Sequence, residues 1–385
     1  MSEKVTIFDT TLRDGEQTAG VCFSARQKLE IASALAEMRV DVIEAGFPAA
    51  SAAEREAVAQ VARQVRGASV CALARAVPFD IEAAAEALRE AERPRIHTFI
   101  NASDVHLAHQ LRKDREEVLS MVEYAVGRAR QATDDVEFSP MDATRADVDF
   151  LVEVVRVALF AGARTVNIPD TVGFALPQAV AATIRTLFER IPELEEGVVS
   201  FHGQDDLGLA TANALSAISA GARQVELAVN GIGERAGNTS FEEVVMAIQV
   251  HGGSLGVHTD VDPRGICGIS ALVESHSGVR VPPNKAVVGA NAFRHASGIH
   301  QDGVIKWREN YEVLDPAAIG HLRGSEIVLG KLSGRAGFVE RARRLGFCLT
   351  DAALERAFER FQQLADTKPE VDDEDLMAIC STSLA

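Results

Sequence analysis

Eight short runs rich in β-branched and apolar residues recur along this chain, about 26 to 40 residues apart, with helical stretches between them. They are 5–11, 41–47, 69–75, 95–101, 135–141, 165–171, 198–204 and 224–232. Repeated strand-helix units of that spacing imply parallel strands, and eight of them fit a closed TIM (β/α)8 barrel better than an open doubly wound sheet. The open sheet would carry a Gly-x-Gly-x-x-Gly turn after its first strand, and none stands there. The first intervening helix has a start signal, a capping box of Ser24 and Gln27, with Leu29, Ala32 and Leu35 along one face. Further helices are expected through 80–92 and 146–161. The α/β class with a barrel of ~250 residues leaves an appendage in a chain of 385 residues.

In such a barrel the chemistry sits at the C-terminal ends of the strands. Those ends carry Arg13 and Asp14, Glu44, His97, Ser139 and Asp142, Asp170 and Thr171, His202 and Gln204, and the run 230–238. Each has a structural account taken alone: Arg13 and Asp14 as a surface pair, His97 as a satisfied core histidine, Thr171 as a strand residue, Asp170 as an N-cap. A packed barrel needs none of them on one rim, and their convergence argues for a site. An arginine beside a carboxylate at a strand end can polarise a carbonyl while the carboxylate holds a metal. The Gly-rich 231–238 segment precedes a predicted helix from Ser240. It either presents backbone N–H groups to an anion or serves only to close a strand-to-helix turn.

Composition removes several classes of function. Hydrophobic residues make up 47% and charged residues 25%, as in a globular protein, and no apolar run is long enough to span a membrane. A formal net charge of -17 repels polyanions, so nucleic acid is not an expected partner. The five cysteines are scattered without a Cys-x-x-Cys pair and read as idle or buried thiols. The N-terminus enters a strand at once, leaving no room for a signal peptide, so a cytoplasmic location is expected. From about 266 the strand-helix rhythm stops, and 281–285 reads as a linker. Amphipathic helices are expected at 336–345 and 351–366, followed by a frayed tail. The expected divisions are 1–265, 266–325 and 326–385.

Five motifs carry a resemblance that extends over nearly the whole chain. They are Phe8-Asp9-Thr10-Thr11-Leu12-Arg13-Asp14-Gly15-Glu16-Gln17, Glu44-Ala45-Gly46-Phe47-Pro48 and Asn167-Ile168-Pro169-Asp170-Thr171-Val172-Gly173. Asn230-Gly231-Ile232-Gly233-Glu234-Arg235-Ala236-Gly237-Asn238 and Ser297-Gly298-Ile299-His300-Gln301-Asp302-Gly303 complete the set. The chain resembles the 2-isopropylmalate synthase family, within the wider group of homocitrate and citramalate synthases. The resemblance implies a Claisen-type condensation, in which the methyl group of acetyl-CoA adds to the keto carbon of a 2-oxo acid and the thioester is hydrolysed. It implies a divalent metal (Mn, Mg or Zn) held by Asp14, His202 and Asn238, with Arg13 stabilising the alkoxide and Glu44 orienting Arg13. His97, Ser139, Met141 and Thr171 would join Arg13 around the oxo acid, and Asn230, Gly231, Gly233, Glu234 and Gly237 would face acetyl-CoA. His300 matches the proposed base and Tyr311 a second catalytic residue. Both would reach the barrel of a partner subunit through the 266–325 segment, so a homodimer with exchanged C-terminal segments is implied.

Three departures from the family pattern bear on function. Where the family has His-x-His, this chain has His202-Gly203-Gln204, so the ligand set becomes one nitrogen and three oxygens, with lower affinity for zinc and tolerance of magnesium or manganese. Met141 replaces a typical acidic residue, which favours an apolar or bulkier oxo acid if it faces the pocket and is core packing if it does not. The family's leucine-sensing domain is not expected after Asp366. Leu332 stands where the family often has histidine, with no assigned consequence. The leading expectation is a 2-alkylmalate synthase acting on 2-oxoisovalerate. A synthase for a bulkier oxo acid such as phenylpyruvate, an inactive barrel that only binds, and an aldolase or lyase sharing the barrel and metal remain as alternatives.

Overall fold

Eight parallel strands close into a barrel in sequence order: β1 (Thr6–Asp9), β2 (Val42–Glu44), β3 (Ser69–Arg75), β4 (Pro94–Asn101), β5 (Val136–Met141), β6 (Thr165–Asp170), β7 (Val198–Gly203) and β8 (Gln224–Leu227). The structure, a computed structural model, describes residues 2–383. β1 makes the closure, pairing Thr6 with Gln224 and Asp9 with Leu227 on one side and Phe8 with Val42 on the other. Every expected run holds a barrel strand. β1 is shorter than expected because Arg13 N and Gly15 N both donate to Thr10 O, bending the chain into a turn that carries Arg13 and Asp14.

The covering helices are α1 (Ala25–Glu37), α2 (Ala52–Gln64), α3 (Pro78–Ala87), α4 (Arg115–Arg130), α5 (Val148–Ala161), α6 (Pro177–Arg190), α7 (Ala210–Ser219) and α8 (Phe241–Leu255). α1 starts at the expected capping box, with Gln27 N donating to Ser24 Oγ at 3.3 Å and Ser24 N to Gln27 Oε1 at 2.9 Å. Such a cap stabilises a helix by about 1 kcal/mol.

Period-two alternation along the strands sends every second side chain into the barrel, and these stack in layers. In one layer Arg95 Nη1 donates to Glu137 Oε2 (3.0 Å) and Gln224 Oε1 (2.7 Å), while Gln224 Nε2 donates to Glu137 Oε1 (2.7 Å) and Ser200 Oγ (3.0 Å). The buried polar groups satisfy one another, which rigidifies the floor beneath the next layer. That next layer, two residues further along the same strands, is His97, Ser139, His202 and Glu226. A short parallel pair not anticipated from sequence, Glu3–Lys4 with Val257–His258, lies outside the barrel sheet.

The first compact unit runs to Val281, not 265. Its last helix, α9 (Ile266–Ser277), buries Ile266, Ile269 and Val273, and Asn230 Nδ2 donates to Ser270 O at 3.0 Å. The expected end of the barrel domain at 265 is therefore corrected, while the 281–285 linker falls at the boundary between the units. The loss of strand-helix rhythm marked the end of the sheet, one helix before the end of the unit.

The second unit starts at Pro282 and contains α10 (Gly298–Lys306), α11 (Arg335–Arg344), α12 (Asp351–Ala365) and α13 (Asp373–Ser383). Arg294–His295 pairs in parallel with Glu326–Ile327, joining the two expected subdomains into one body. Its core includes Leu329, Phe338, Ala357, Phe361, Leu376, Ile379 and Cys380. The expected frayed tail is instead α13, with Leu376 and Cys380 fully buried. The acidic run 372–375 masked it. That run is a reciprocal cap, with Asp375 N on Asp372 Oδ1 at 3.0 Å and Asp372 N on Asp375 Oδ2 at 3.1 Å. Among the described residues no helix is long and apolar enough to cross a membrane.

Candidate active site

The turn after β1 delivers Arg13 across the barrel mouth to the end of β2. Arg13 Nε donates to Glu44 Oε2 at 2.6 Å, Nη1 to Asp14 Oδ2 at 2.7 Å, and Nη2 lies 3.9 Å from Glu226 Oε2. Burial alone would push the Glu44 carboxyl up, but Arg13 and His97 outweigh it and hold Glu44 below its ordinary range. Asp14 is likewise held down against its burial by Arg13, His202, the Asn238 amide and the Glu234 N–H. Both carboxylates are thus ionised at neutral pH, and the guanidinium is fixed in the cavity wall between them.

Glu44 also receives His97 Nδ1 at 2.8 Å, and His97 Nε2 meets Ser139 Oγ at 2.7 Å. Burial pushes the imidazole down, yet Glu44 more than offsets this and the histidine sits above its ordinary value. As imidazolium it donates from both nitrogens. Asn167 Nδ2 donates to the same Ser139 Oγ at 2.9 Å. When His97 carries both ring protons, two donors point at the Ser139 oxygen and the hydroxyl proton is free for an acceptor in the cavity.

On the opposite side β7 presents His202 and Gln204, and the chain after β8 presents Asn238. Glu226 Oε2 accepts from His202 Nδ1 at 2.8 Å, which leaves Nε2 as a lone-pair donor facing the cavity. Burial lowers the His202 pKa, while Glu226 and Asp14 raise it to a net upward shift. The Gln204 amide reaches Asn238 Oδ1 (3.0 Å), His202 Nε2 (3.1 Å) and Asp14 Oδ1 (3.4 Å). Turned the other way, its nitrogen donates to Glu234 O at 3.1 Å and Gly237 O at 2.8 Å, and its oxygen faces His202 Nε2 at 3.1 Å and Asn238 Oδ1 at 3.0 Å. Two carbonyl oxygens at that separation have no proton to share and suit a cation between them. Among the described residues no group of three or more His, Cys, Asp and Glu side chains is arranged to hold a metal. The set here has one carboxylate, one imidazole and two amides, an oxygen-rich donor set that fits a hard divalent ion.

The Gly-rich segment shapes this corner. A Cβ on Gly233 would run into Asn238 Nδ2, and one on Gly237 into Gly231 O; Gly231 and Gly237 have φ of +68° and +100°. The folded loop holds Asn238 Nδ2 on Asp14 Oδ1 and on Ile232 O, each at 2.9 Å, with Glu234 N on Asp14 Oδ1 at 3.3 Å. Of the two readings of this segment, closure of the strand-to-helix turn has direct support in its hydrogen bonds. Phe241 N donates to Ala228 O, and Glu242 Oε2 accepts from Asn230 N at 3.0 Å. Asn230 itself is clamped to α9 by Ser270, so it supports the loop from behind.

Family comparison follows this geometry. Residues 4–273 match the HMGL-like family and residues 287–369 the "Homocitrate synthase post-HMGL domain-like" family. A 2-isopropylmalate synthase of Pelotomaculum thermopropionicum is 52% identical over 379 residues, covering 98% of this chain and 75% of the relative. Another, of Pyrococcus abyssi, is 53% identical over 381 residues, covering 99% and 78%. The chain belongs to the 2-isopropylmalate synthase family. The HMG-CoA lyase structures of Pseudomonas aeruginosa (TM-score 0.62, 22% identity, 73% of this chain and 95% of that one) and Bacillus subtilis (TM-score 0.61, 22% identity, 73% and 96%) share the barrel fold.

For a member of the 2-isopropylmalate synthase family, the cavity is the place to read the differences. It holds about 230 Å³, and Arg13, Asp14, His97, Ser139, Met141, Thr171, His202, Gln204 and Glu234 all line it. Met141 therefore faces the pocket. Thr171 Oγ1 also accepts from Asp142 N at 2.9 Å. Asp142 does not line the cavity; it has φ of +66°, is fully buried and is paired with Arg145. Sequence reasoning missed Leu73, Phe99, Asn167, Pro169, Glu226 and Arg235 in the wall. Glu226 had a signal: with Gln224 it makes a polar i, i+2 pair inside an otherwise apolar strand.

His300 and Tyr311 belong to the second unit. There they stack, with ring centroids 4.1 Å apart and planes at 23°, and both are exposed. Tyr311 packs so closely on Gly303 that a Cβ there would meet its ring. Leu332 is 77% exposed.

Proposed function

We propose that this chain condenses acetyl-CoA with an apolar 2-oxo acid, 2-oxoisovalerate before others, to give 2-isopropylmalate and CoA. One observation carries the reading: a fixed guanidinium, a four-donor metal corner and an apolar wall share one cavity. A divalent ion there, magnesium or manganese in preference to zinc, would chelate the oxo acid and polarise its keto carbonyl. Asp14, His202 and Asn238 hold it, with Gln204 Oε1 as the fourth donor.

Arg13 stands beside that corner, and its remaining N–H groups stabilise the negative charge that develops on the keto oxygen as the carbon–carbon bond forms. Glu44 fixes its angle. The Ser139 hydroxyl donates to the oxo acid carboxylate, and Thr171 lies alongside. Leu73, Phe99, Met141 and Pro169 receive the alkyl group and exclude a second carboxylate, which would be stranded there without a partner. Gly233 and Glu234 border the acetyl-CoA side, while Asn230, Gly231 and Gly237 act through the shape of the loop.

The methyl proton is removed by His300, with Tyr311 stacked on it, supplied by the partner of a homodimer that exchanges C-terminal segments. The exposed Ile299, Trp307 and Val313 beside them support a surface that is covered in the assembly. Water then hydrolyses the thioester, releasing CoA as the thiol.

The test is free-thiol release from acetyl-CoA with 2-oxoisovalerate, 2-oxobutyrate, phenylpyruvate, pyruvate and 2-oxoglutarate, each with manganese, magnesium or zinc. Turnover is expected with 2-oxoisovalerate and least with 2-oxoglutarate. Preference for phenylpyruvate would move the assignment to a bulkier alkylmalate. Silence of the folded, metal-supplied protein across the panel would refute catalysis.

A further inference from the structure

Lys28 lies on the inner face of α1 with its side chain fully buried. A lysine there needs partners, and it has four. Nζ meets Glu16 Oε2 at 2.7 Å and Glu54 Oε1 at 2.6 Å, and it donates to Leu12 O at 3.2 Å and Ala45 O at 3.3 Å. Leu12 O belongs to the peptide bond that enters Arg13, and Ala45 follows Glu44 directly. One ammonium group therefore grips the two rim loops at the residues adjoining the guanidinium and the carboxylate that orients it.

The carboxylates extend the grip. Glu54 Oε1 also accepts from Phe47 N at 3.0 Å, and Glu16 Oε1 from Phe23 N at 2.7 Å. A Cβ on Gly46 would collide with Glu54 Oε1 and crowd Lys28 Nζ, so the glycine makes room for the contact. Nothing in the cavity touches Lys28, and simple packing between α1 and the barrel would be served by an apolar residue at that position.

We infer that Lys28 is a positioning residue: it locks the loop after β1 to the loop after β2 so that Arg13 meets Glu44 in the geometry the reaction needs. The inference rests on the proposed role of Arg13, and its test separates the two. Displacing a charged group by about 1 Å can cost up to ~100-fold in rate.

The experiment combines a crystal structure of Lys28→Met with a double-mutant cycle of Lys28→Met and Arg13→Ala, with thermal melting as a check on folding. The expected result is a folded variant in which Arg13 Nε no longer contacts Glu44. Its turnover should fall roughly 10- to 100-fold, with no further fall when Lys28→Met is added to Arg13→Ala. Glu54→Gln, which weakens the same grip without emptying the pocket, is carried through the same cycle and should show the same non-additivity if Lys28→Met does not fold. An unchanged Arg13–Glu44 contact in the variant overturns the inference, as does an equal fold-loss in both Arg13 backgrounds. Should the wild type turn over no oxo acid, the functional reading falls while the crystal structure still decides the role of Lys28.

Discussion

Four residues set the chemistry of this cavity, and each can be tested separately. Arg13→Lys keeps the charge but loses the planar fork shared by Glu44 and Asp14. Its kcat should fall by about 100- to 1,000-fold with little change in folding, checked by steady-state kinetics and circular dichroism. Glu226→Gln should weaken manganese binding by about 10- to 100-fold in a calorimetric titration, because the carboxylate fixes the His202 tautomer. Gln204→His should raise zinc affinity relative to magnesium in the same titration, since an imidazole nitrogen replaces an amide oxygen.

Glu44 makes a statement about pH. Its folded-state pKa is depressed by Arg13 and His97 against its burial. The stability it contributes is present above the ordinary glutamate value and is lost as pH falls through the depressed one. Glu44→Gln should therefore melt earlier at neutral pH, by an amount equivalent to about 3 to 5 kcal/mol. The gap should close on acidification, measured as melting temperature against pH. The rim residues were legible in sequence because polar side chains at strand ends have no packing role. Lys28 was not, since a buried ion in mid-helix is visible only once its partners, distant in sequence, are known.

At the scale of elements, the eight strands and most helices could be read from periodicity, and the errors fell where periodicity carries no information. α9 fell outside the expected barrel domain because a sheet can end before its domain does. α13 was missed because its capping carboxylates look like a solvated tail. Leu376→Ala should destabilise the second unit by about 2 to 5 kcal/mol in a denaturant titration. For the Gly-rich loop the sequence left anion binding and turn closure open, and in the structure its tight turns and close approaches place Asn238. Gly233→Ala should accordingly abolish measurable manganese binding by displacing Asn238, with the barrel still folded.

For the whole molecule, the division into two units puts the acidic and basic parts of the proposed reaction on separate bodies. The homodimer proposed above would complete the site with a second copy of the chain. Mixing Arg13→Ala with His300→Asn, each retaining only a small residual turnover alone, should restore about a quarter of wild-type turnover if subunits exchange, since half the dimers then carry one intact site of two. No restoration would assign base and barrel to the same chain. The central claim is tested most directly by mass spectrometry of the product formed from acetyl-CoA and 2-oxoisovalerate with manganese. The account predicts 2-isopropylmalate in one-to-one yield with free CoA, formed far more slowly by Arg13→Ala. CoA release without an alkylmalate, from this oxo acid or any other, would contradict it.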